Sequence, residues 1–426
     1  VTGIVFEGNT FDDFVVITSA QKVFSVGGAA SGSVYDKAGV SVYANEAACL
    51  AGIDMSGFDS ALWGKTEGGI TFGGEIVVSD VTTEDAVALQ GGYELSKSAD
   101  DGKLSVTLTD YATIQGDFVS VSTADGMILG GAYADGTITF TAAMLGLLRD
   151  GENTLVVKTK DGDVYRQYTV SVTVYSCFIS NPTELKAFGD AFVAAGKGNL
   201  FNGWYKLDAN IDMSSEEYLF GNYDTGNSNS ASHVRFAGVF DGAGHTITGV
   251  KTGNGGLFGY VERAGVIKNV AIVNATGQGA YSSTILGGGW FLGTLENVFA
   301  SGSIGNGSSP QDGIIAQNRA QSMKNVVFDV DITDEATRSL LGIWVPGETN
   351  EALHAGVVEN FFAITNATGD AAYTWAGTAN NDITLYADVA ACLETEDFAD
   401  FDSSVWELKA DGVYFGGNKI IDIANA

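Results

Sequence analysis

Three histidines, three cysteines and 52 acidic side chains against 21 basic ones are the groups from which this 426-residue chain could build chemistry. His233, His245 and His354 never fall at the spacing that turns two imidazoles toward one metal. His245 lies in a Gly-Ala-Gly-His-Thr-Ile turn, where a structural role is the simpler reading. Cys49, Cys177 and Cys392 are odd in number and include no Cys-x-x-Cys pair, so they read as buried thiols rather than a disulfide framework. A glycosidase needs two carboxylates about 5 Å or about 6.5–9.5 Å apart across a cleft, and 52 acidic residues leave that pair unchosen. A polysaccharide lyase would want a basic residue beside an acidic cluster. Arg235, Arg263, Arg319 and Arg338 sit in segments without a repeated acidic partner. Nucleophile elbow, phosphate loop and Ser-His-Asp order are all missing from the sequence. No cofactor is expected. Structural calcium is the exception, because Asp161 with Asp163, and Asp329 with Asp331, could offer it oxygen ligands, though without EF-hand spacing.

Charge narrows the partners. A formal net charge of −31 repels nucleic acid and anionic membrane surfaces. No apolar run reaches the ~18 residues of a membrane span, so no membrane insertion is expected in this segment. Apolar content of 45% is that of a folded chain, and 57 glycines beside 3 prolines suit tight turns between paired strands. The opening Val-Thr-Gly reads as a processed or internal start.

The elements that must position these groups announce themselves as repeats. Residues 41–74 align with 384–417 at a constant offset, with 15 of 34 positions identical. The shared residues include Tyr43/Tyr386, Cys49/Cys392, Phe58/Phe401, Trp63/Trp406 and Phe72/Phe415. The chain therefore opens with the tail of a module whose fuller version closes it. A shorter pattern, apolar-x-Asn-apolar, recurs at Asn269, Asn297, Asn325 and Asn360, with a further member at Asn210 and a glycine at 249. A strand repeated every 28 to 35 residues is the signature of a solenoid, and asparagine at one place in each coil can stack its amides. Asparagine also tolerates the left-handed corner of a coil. Both ends carry closing elements. Asn181-Pro182-Thr183-Glu184 is an N-cap, helix-start proline and capping-box glutamate, followed by Leu185, Phe188 and Phe192 at helical spacing. At the other end Phe415 and Trp406, like Phe72 and Trp63 in the first copy, form an aromatic plug.

Phe240–Ile247, Gly255–Gly259 and Ile267–Val270 together resemble the GLUG-type repeats of bacterial surface proteins, β-helical modules also found beside IgA-peptidase-like and adhesin domains. Between the two copies, Gly151–Asp163 and Tyr168–Val174 form long alternating strands around an Asp-Gly-Asp turn. That hairpin resembles the one near the end of bacterial immunoglobulin-like surface domains.

The expected fold is all-β: a right-handed parallel β-helix with a helical cap, an Ig-like β-sandwich, and the closing coil of a second β-helix. Expected boundaries are 1–76 for the closing coil and cap, 77–175 for the sandwich spacer and 176–426 for the capped helix. The resemblance implies an extracellular, cell-surface module. The expected function is non-catalytic adhesion, or a structural part of an envelope layer or filament. Partners would be a glycan or cell-surface ligand, or other copies joined end to end. Trp204, Tyr218, Tyr223, Tyr281, Trp290, Trp344 and Trp375 are the aromatic residues a sugar-binding surface could use. The alternatives are a carbohydrate-active β-helix enzyme (lyase or glycosidase) and a purely structural lattice, filament or viral-fibre subunit.

Overall fold

From a computed structural model of the chain we describe residues 14–17, 40–43, 45–66, 69–78, 82–83, 85–162, 164–196, 198–221, 234–253, 255–278, 284–287, 291–305, 313–315, 320–332, 357–365 and 383–425. Strand is the dominant element, and the fold class is all-β. The chain divides into two compact units. One comprises residues 1–90, 109–128 and 155–170; the other comprises 91–108, 129–154 and 171–426.

In the first unit, β1 (Phe14–Ile17) and β2 (Val40–Tyr43) pair in parallel, Phe14 opposite Val40 and Ile17 opposite Tyr43. Helix α1 (Glu46–Gly52) follows, its start fixed by the Asn45 side chain accepting from Ala48 N at 2.8 Å. A three-strand antiparallel meander then runs through β3 (Trp63–Thr66), β4 (Gly69–Phe72) and β5 (Glu75–Val78). Its second turn uses Gly73 and Gly74, both at positive φ, as a two-residue hairpin requires. Elsewhere in this unit Asp117–Thr123 pairs antiparallel with residues 155–160. Thr159 donates to Gln115 O at 2.6 Å, and the Tyr168 hydroxyl accepts from Gln115 N at 2.9 Å.

The second unit begins with an antiparallel triplet, Ser105–Thr107, Ala132–Ala134 and Thr137–Thr139, and Leu95, Leu108 and Leu145 of the same stretch are buried. Its acidic residues fasten it to the elements that follow. Asp101 accepts from Phe178 N at 2.8 Å, and Asp150 accepts from Ser176 Oγ at 2.6 Å and Trp204 N at 3.1 Å.

Beyond residue 176 the backbone stacks. Strand β6 (Cys177–Ile179) precedes helix α2 (Pro182–Ala194). Then come β7 (Trp204–Leu207), β8 (Val239–Asp241), β9 (Val266–Gly277), β10 (Thr294–Ile304), β11 (Ser322–Ile332), β12 (Val357–Thr365) and β13 (Ile383–Tyr386). Each pairs with the next, always in parallel, so one sheet is laid down rung by rung in chain order. The excursions between rungs form parallel ladders of their own: Leu200–Phe201 on Arg235–Phe236, and Thr284–Gly287 on Gly313–Ile315. Alternation along each rung decides burial. Val270, Val298, Val326 and Phe361 form one inward row, and Ile272, Ala300, Phe328 and Ala363 another. Ala271, Phe299, Val327 and Phe362 face the other way.

The start of that stack is covered by a helix, and its outward face by the closing segment, which lies along the rungs instead of plugging their far end. Glu184 N donates to the Asn181 side chain at 3.1 Å while the Glu184 carboxylate accepts from Ser180 N at 2.7 Å, so α2 starts on a capping-box variant in which the glutamate takes the N–H just before the cap. Its Leu185, Phe188 and Phe192 are buried in the same core as the inward rows. After β13 come α3 (Val389–Thr395) and the meander β14 (Trp406–Lys409), β15 (Gly412–Phe415) and β16 (Asn418–Asp422). Their Phe398, Phe401, Trp406 and Phe415 bury the outward row of Ala271 to Phe362.

Candidate functional site

Two polar features stand on the stacked rungs. The first is a column of amides. Asn297 Nδ2 donates to Asn269 Oδ1 at 2.9 Å, Asn325 to Asn297 at 2.8 Å and Asn360 to Asn325 at 2.8 Å. All four have φ between 52° and 55°, the left-handed conformation that asparagine tolerates best among residues with a side chain. They sit at the corner where each rung bends, and there Asn297 and Asn325 are buried. Donation runs one way along the column, so its first member needs only to accept. Asp241 fills that place, taking Asn269 Nδ2 at 3.0 Å and Ala243 N at 2.9 Å. The next residue, Gly242, lies so close to the following rung that a Cβ there would meet Asn269 O at 2.3 Å. The column also reaches sideways, Asn297 Nδ2 donating to Asp402 at 3.0 Å and Asn360 Nδ2 to Asp400 O at 2.8 Å. The plug is thus tied to the rungs by hydrogen bonds as well as by its rings.

Asn210 stands outside this column. Ile211 pairs with Ile247, and Ile247 with Ile272, which sets Asn210 level with Ala271 instead of Asn269. Its side chain accepts from Thr246 N at 3.1 Å, donates to Asn418 at 2.7 Å and lies 3.2 Å from His245 Nδ1. Burial lowers the pKa of His245, which favours its neutral form here. Gly249 belongs to a second corner, following Thr248 as Asn274 follows Val273, with φ of 71° and 54°. Asn274 is the extra residue where the β9–β10 register shifts, and its N–H donates to Ser301 Oγ at 3.0 Å.

The second feature is a polar groove of about 360 Å³, lined among others by Asn274, Thr276, Ser301, Ser303, Asp329 and Asp331. Register places Asp329 beside Ser301 and Asp331 beside Ser303. Burial, and then the charge of Asp331, push the Asp329 carboxyl up to about 6. The folded chain thus keeps a proton that the unfolded chain releases near pH ~3.9, so this group favours folding at low pH. That contribution is lost as pH rises from about 4 through 6. Asp329→Asn is therefore expected to raise stability at pH 7 by about 1–3 kcal/mol and to leave it nearly unchanged at pH ~3.5. Urea unfolding at the two pH values checks this.

The calcium readings fare differently. Asp161 pairs with Arg166 at 3.3 Å, and Asp163 lies outside the described residues. Among the described residues no three His, Cys, Asp or Glu side chains gather as a metal site. Cys49 and Cys392 are buried free thiols and Cys177 is half-buried; burial pushes the Cys392 thiol up to about 12. Arg235 is engaged with Glu262. Of the aromatic residues, the Tyr218 hydroxyl donates to Asp190 at 2.7 Å, and Trp204 is half-buried with its ring 6.3 Å from Tyr175. Tyr223, Tyr281, Trp290, Trp344 and Trp375 lie outside the described residues, as do His233, His354, Arg319 and Arg338.

Fold and column together define an all-β chain of stacked parallel rungs whose best-organised polar groups hold the stack itself. No family model matches the chain, and no solved structure matches it. A stretch of 152 residues, 34% of the chain, is 30% identical to part of Halomucin from Haloquadratum walsbyi. The match spans only 2% of that protein's length. Among the described residues no helix is long and apolar enough to cross a membrane.

Proposed function

We propose that this chain is a non-catalytic, extracellular repeat protein of a cell surface, acting in adhesion or as a structural part of an envelope layer or filament. In this reading residues 176–426 are a right-handed parallel β-helix, 77–175 an Ig-like spacer, and 1–76 the closing coil and cap of another β-helix. Right-handedness follows the strong preference of parallel crossovers. One observation carries the proposal: the column from Asp241 to Asn360, whose hydrogen bonds join successive rungs and anchor the plug. Buried polar order here goes into joining one rung to the next. Likeness to a stretch of Halomucin agrees with a surface role, as do the GLUG-type motifs. A charge of −31 makes copies repel one another except where specific contacts hold them.

Negative-stain microscopy and a glycan array test the proposal together. Rods that join end to end without ligand favour the envelope or filament role. Single rods that bind a defined glycan favour adhesion. A compact particle that does neither would sink both. A second reading draws on the groove: Asp329, its carboxyl raised toward neutrality, lines it together with Asp331, and a carboxyl so raised is what glycan-cleaving enzymes use as their acid. On that reading polysaccharide cleavage by the chain would disappear in both Asp329→Asn and Asp331→Asn.

A further inference from the structure

The two copies of the closing segment share an internal geometry but not their surroundings. In the first copy the Trp63 ring lies 5.5 Å from Phe58 and 4.8 Å from Phe72. In the second, Trp406 lies 5.1 Å from Phe401 and 4.9 Å from Phe415. The strands beneath correspond too. Phe14–Ile17 on Val40–Tyr43 has the register of Phe361–Ile364 on Ile383–Tyr386. Yet Phe415 is 0% exposed where Phe72 is 44% exposed, and Trp406 is buried where Trp63 is half-buried. Backbone packing tells the same story. A Cβ on Gly416 would meet Gly244 O at 1.9 Å, whereas its counterpart Gly73, also left-handed, has nothing within 4 Å.

What covers the second copy is visible: the outward row Ala271, Phe299, Val327 and Phe362, with Asn297 clipped to Asp402. In the first copy that floor is supplied by Val15 and Ile17 of β1. An apolar groove of about 390 Å³ remains, lined by these two with Cys49, Phe58, Trp63 and Ile70 among others. Among the described residues β1 pairs with β2 alone, and no other described strand takes up the backbone groups of its second edge.

We propose that this edge and groove dock further parallel rungs of the same kind, carried in the polypeptide on the amino-terminal side of β1. The inference rests on the coil reading given under Proposed function. A second copy of the chain is a poor occupant. Its own outward row is already covered by its own plug, and β9 to β12 have neighbours on both edges. The docked rungs would present small and aromatic apolar side chains outward, as Ala271, Phe299 and Val327 do. One would donate a corner amide to Asp59, the counterpart of Asp402.

The test fuses residues 177–356 ahead of residue 10 of the otherwise full chain and follows amide hydrogen exchange. The amides of Val15–Ile17 and Trp63–Phe72 are expected to slow about 100-fold relative to the unfused chain, toward those of Phe362–Ile364 and Trp406–Phe415 in the same molecule. Val15→Asp in the fusion should abolish the slowing while sparing the second copy. Unchanged exchange, both in this fusion and in a shorter one carrying only residues 322–356, overturns the proposal. Slowing that appears in the unfused chain as its concentration rises, with dimers in sedimentation, overturns the choice of occupant. Rapid exchange at Phe362–Ile364 would instead remove the coil reading itself.

Discussion

Asn325→Ala is expected to destabilise the stacked rungs by about 3 kcal/mol. Two losses add. Asn325 holds φ at 55°, and alanine in the left-handed region is disfavoured by roughly 1–2 kcal/mol. Its side chain also donates to Asn297 and accepts from Asn360, each at 2.8 Å, in a site only 3% exposed. Removing it leaves the Asn297 oxygen buried without that donor, which costs about 1–3 kcal/mol. Asn325→Gly relieves the backbone and keeps only the second loss, so it should fall between alanine and wild type. Asn325→Asp separates the donor from the acceptor. At neutral pH a carboxylate there faces Asn297 Oδ1 with no proton to offer, whereas at Asp241, the accepting end, a carboxylate is the right group. Protonation would restore a donor, so the aspartate variant should be least stable at neutral pH and recover as pH falls through its raised folded-state pKa toward the unfolded carboxylate range of ~4. Denaturant unfolding of the four proteins at pH 4 and pH 7 orders them. Equal stability of Asn325→Ala and wild type would mean that the column is decoration.

The column could be read from the sequence because two constraints coincide on one residue type. A left-handed corner and a two-way amide both favour asparagine, and the coil length repeats it at a fixed interval. Asp241 was illegible for the complementary reason. Only once the direction of donation is known does an acceptor-only terminus become the natural partner of Asn269. Asn210 misled because its apolar flank matches the motif, while strand register, set by Ile211 against Ile247, moves it two positions along the rung. The aromatic plug was legible through its repetition, and its burial was not, since burial depends on what is stacked beneath. The half-burial of Asp329 likewise arises from tertiary packing, where Ile420 of the last strand joins the groove wall, and strand alternation alone carries no trace of it.

The same substitution made in the two copies should give very unequal results. Phe415→Ala is expected to cost the second unit about 3–5 kcal/mol, because the ring is fully buried and packs edge-on to Trp406 at an interplanar angle of 90°. Its loss opens a cavity among Phe401, Trp406 and the outward row, and rungs tied on both edges have little freedom to close it. Phe72→Ala removes a ring that is 44% exposed, so the loss is chiefly its contact with Trp63, about 1 kcal/mol. Hydrogen exchange resolved by segment gives each copy its own opening free energy, which a single melting temperature for a two-unit chain would blur. Comparable losses in the two copies would mean that the first plug is already covered in solution. A loss confined to Phe415 assigns the plug's stabilising power to the rungs beneath it. The aromatic residues then act as a closure that becomes effective only when a full stack is present to be closed.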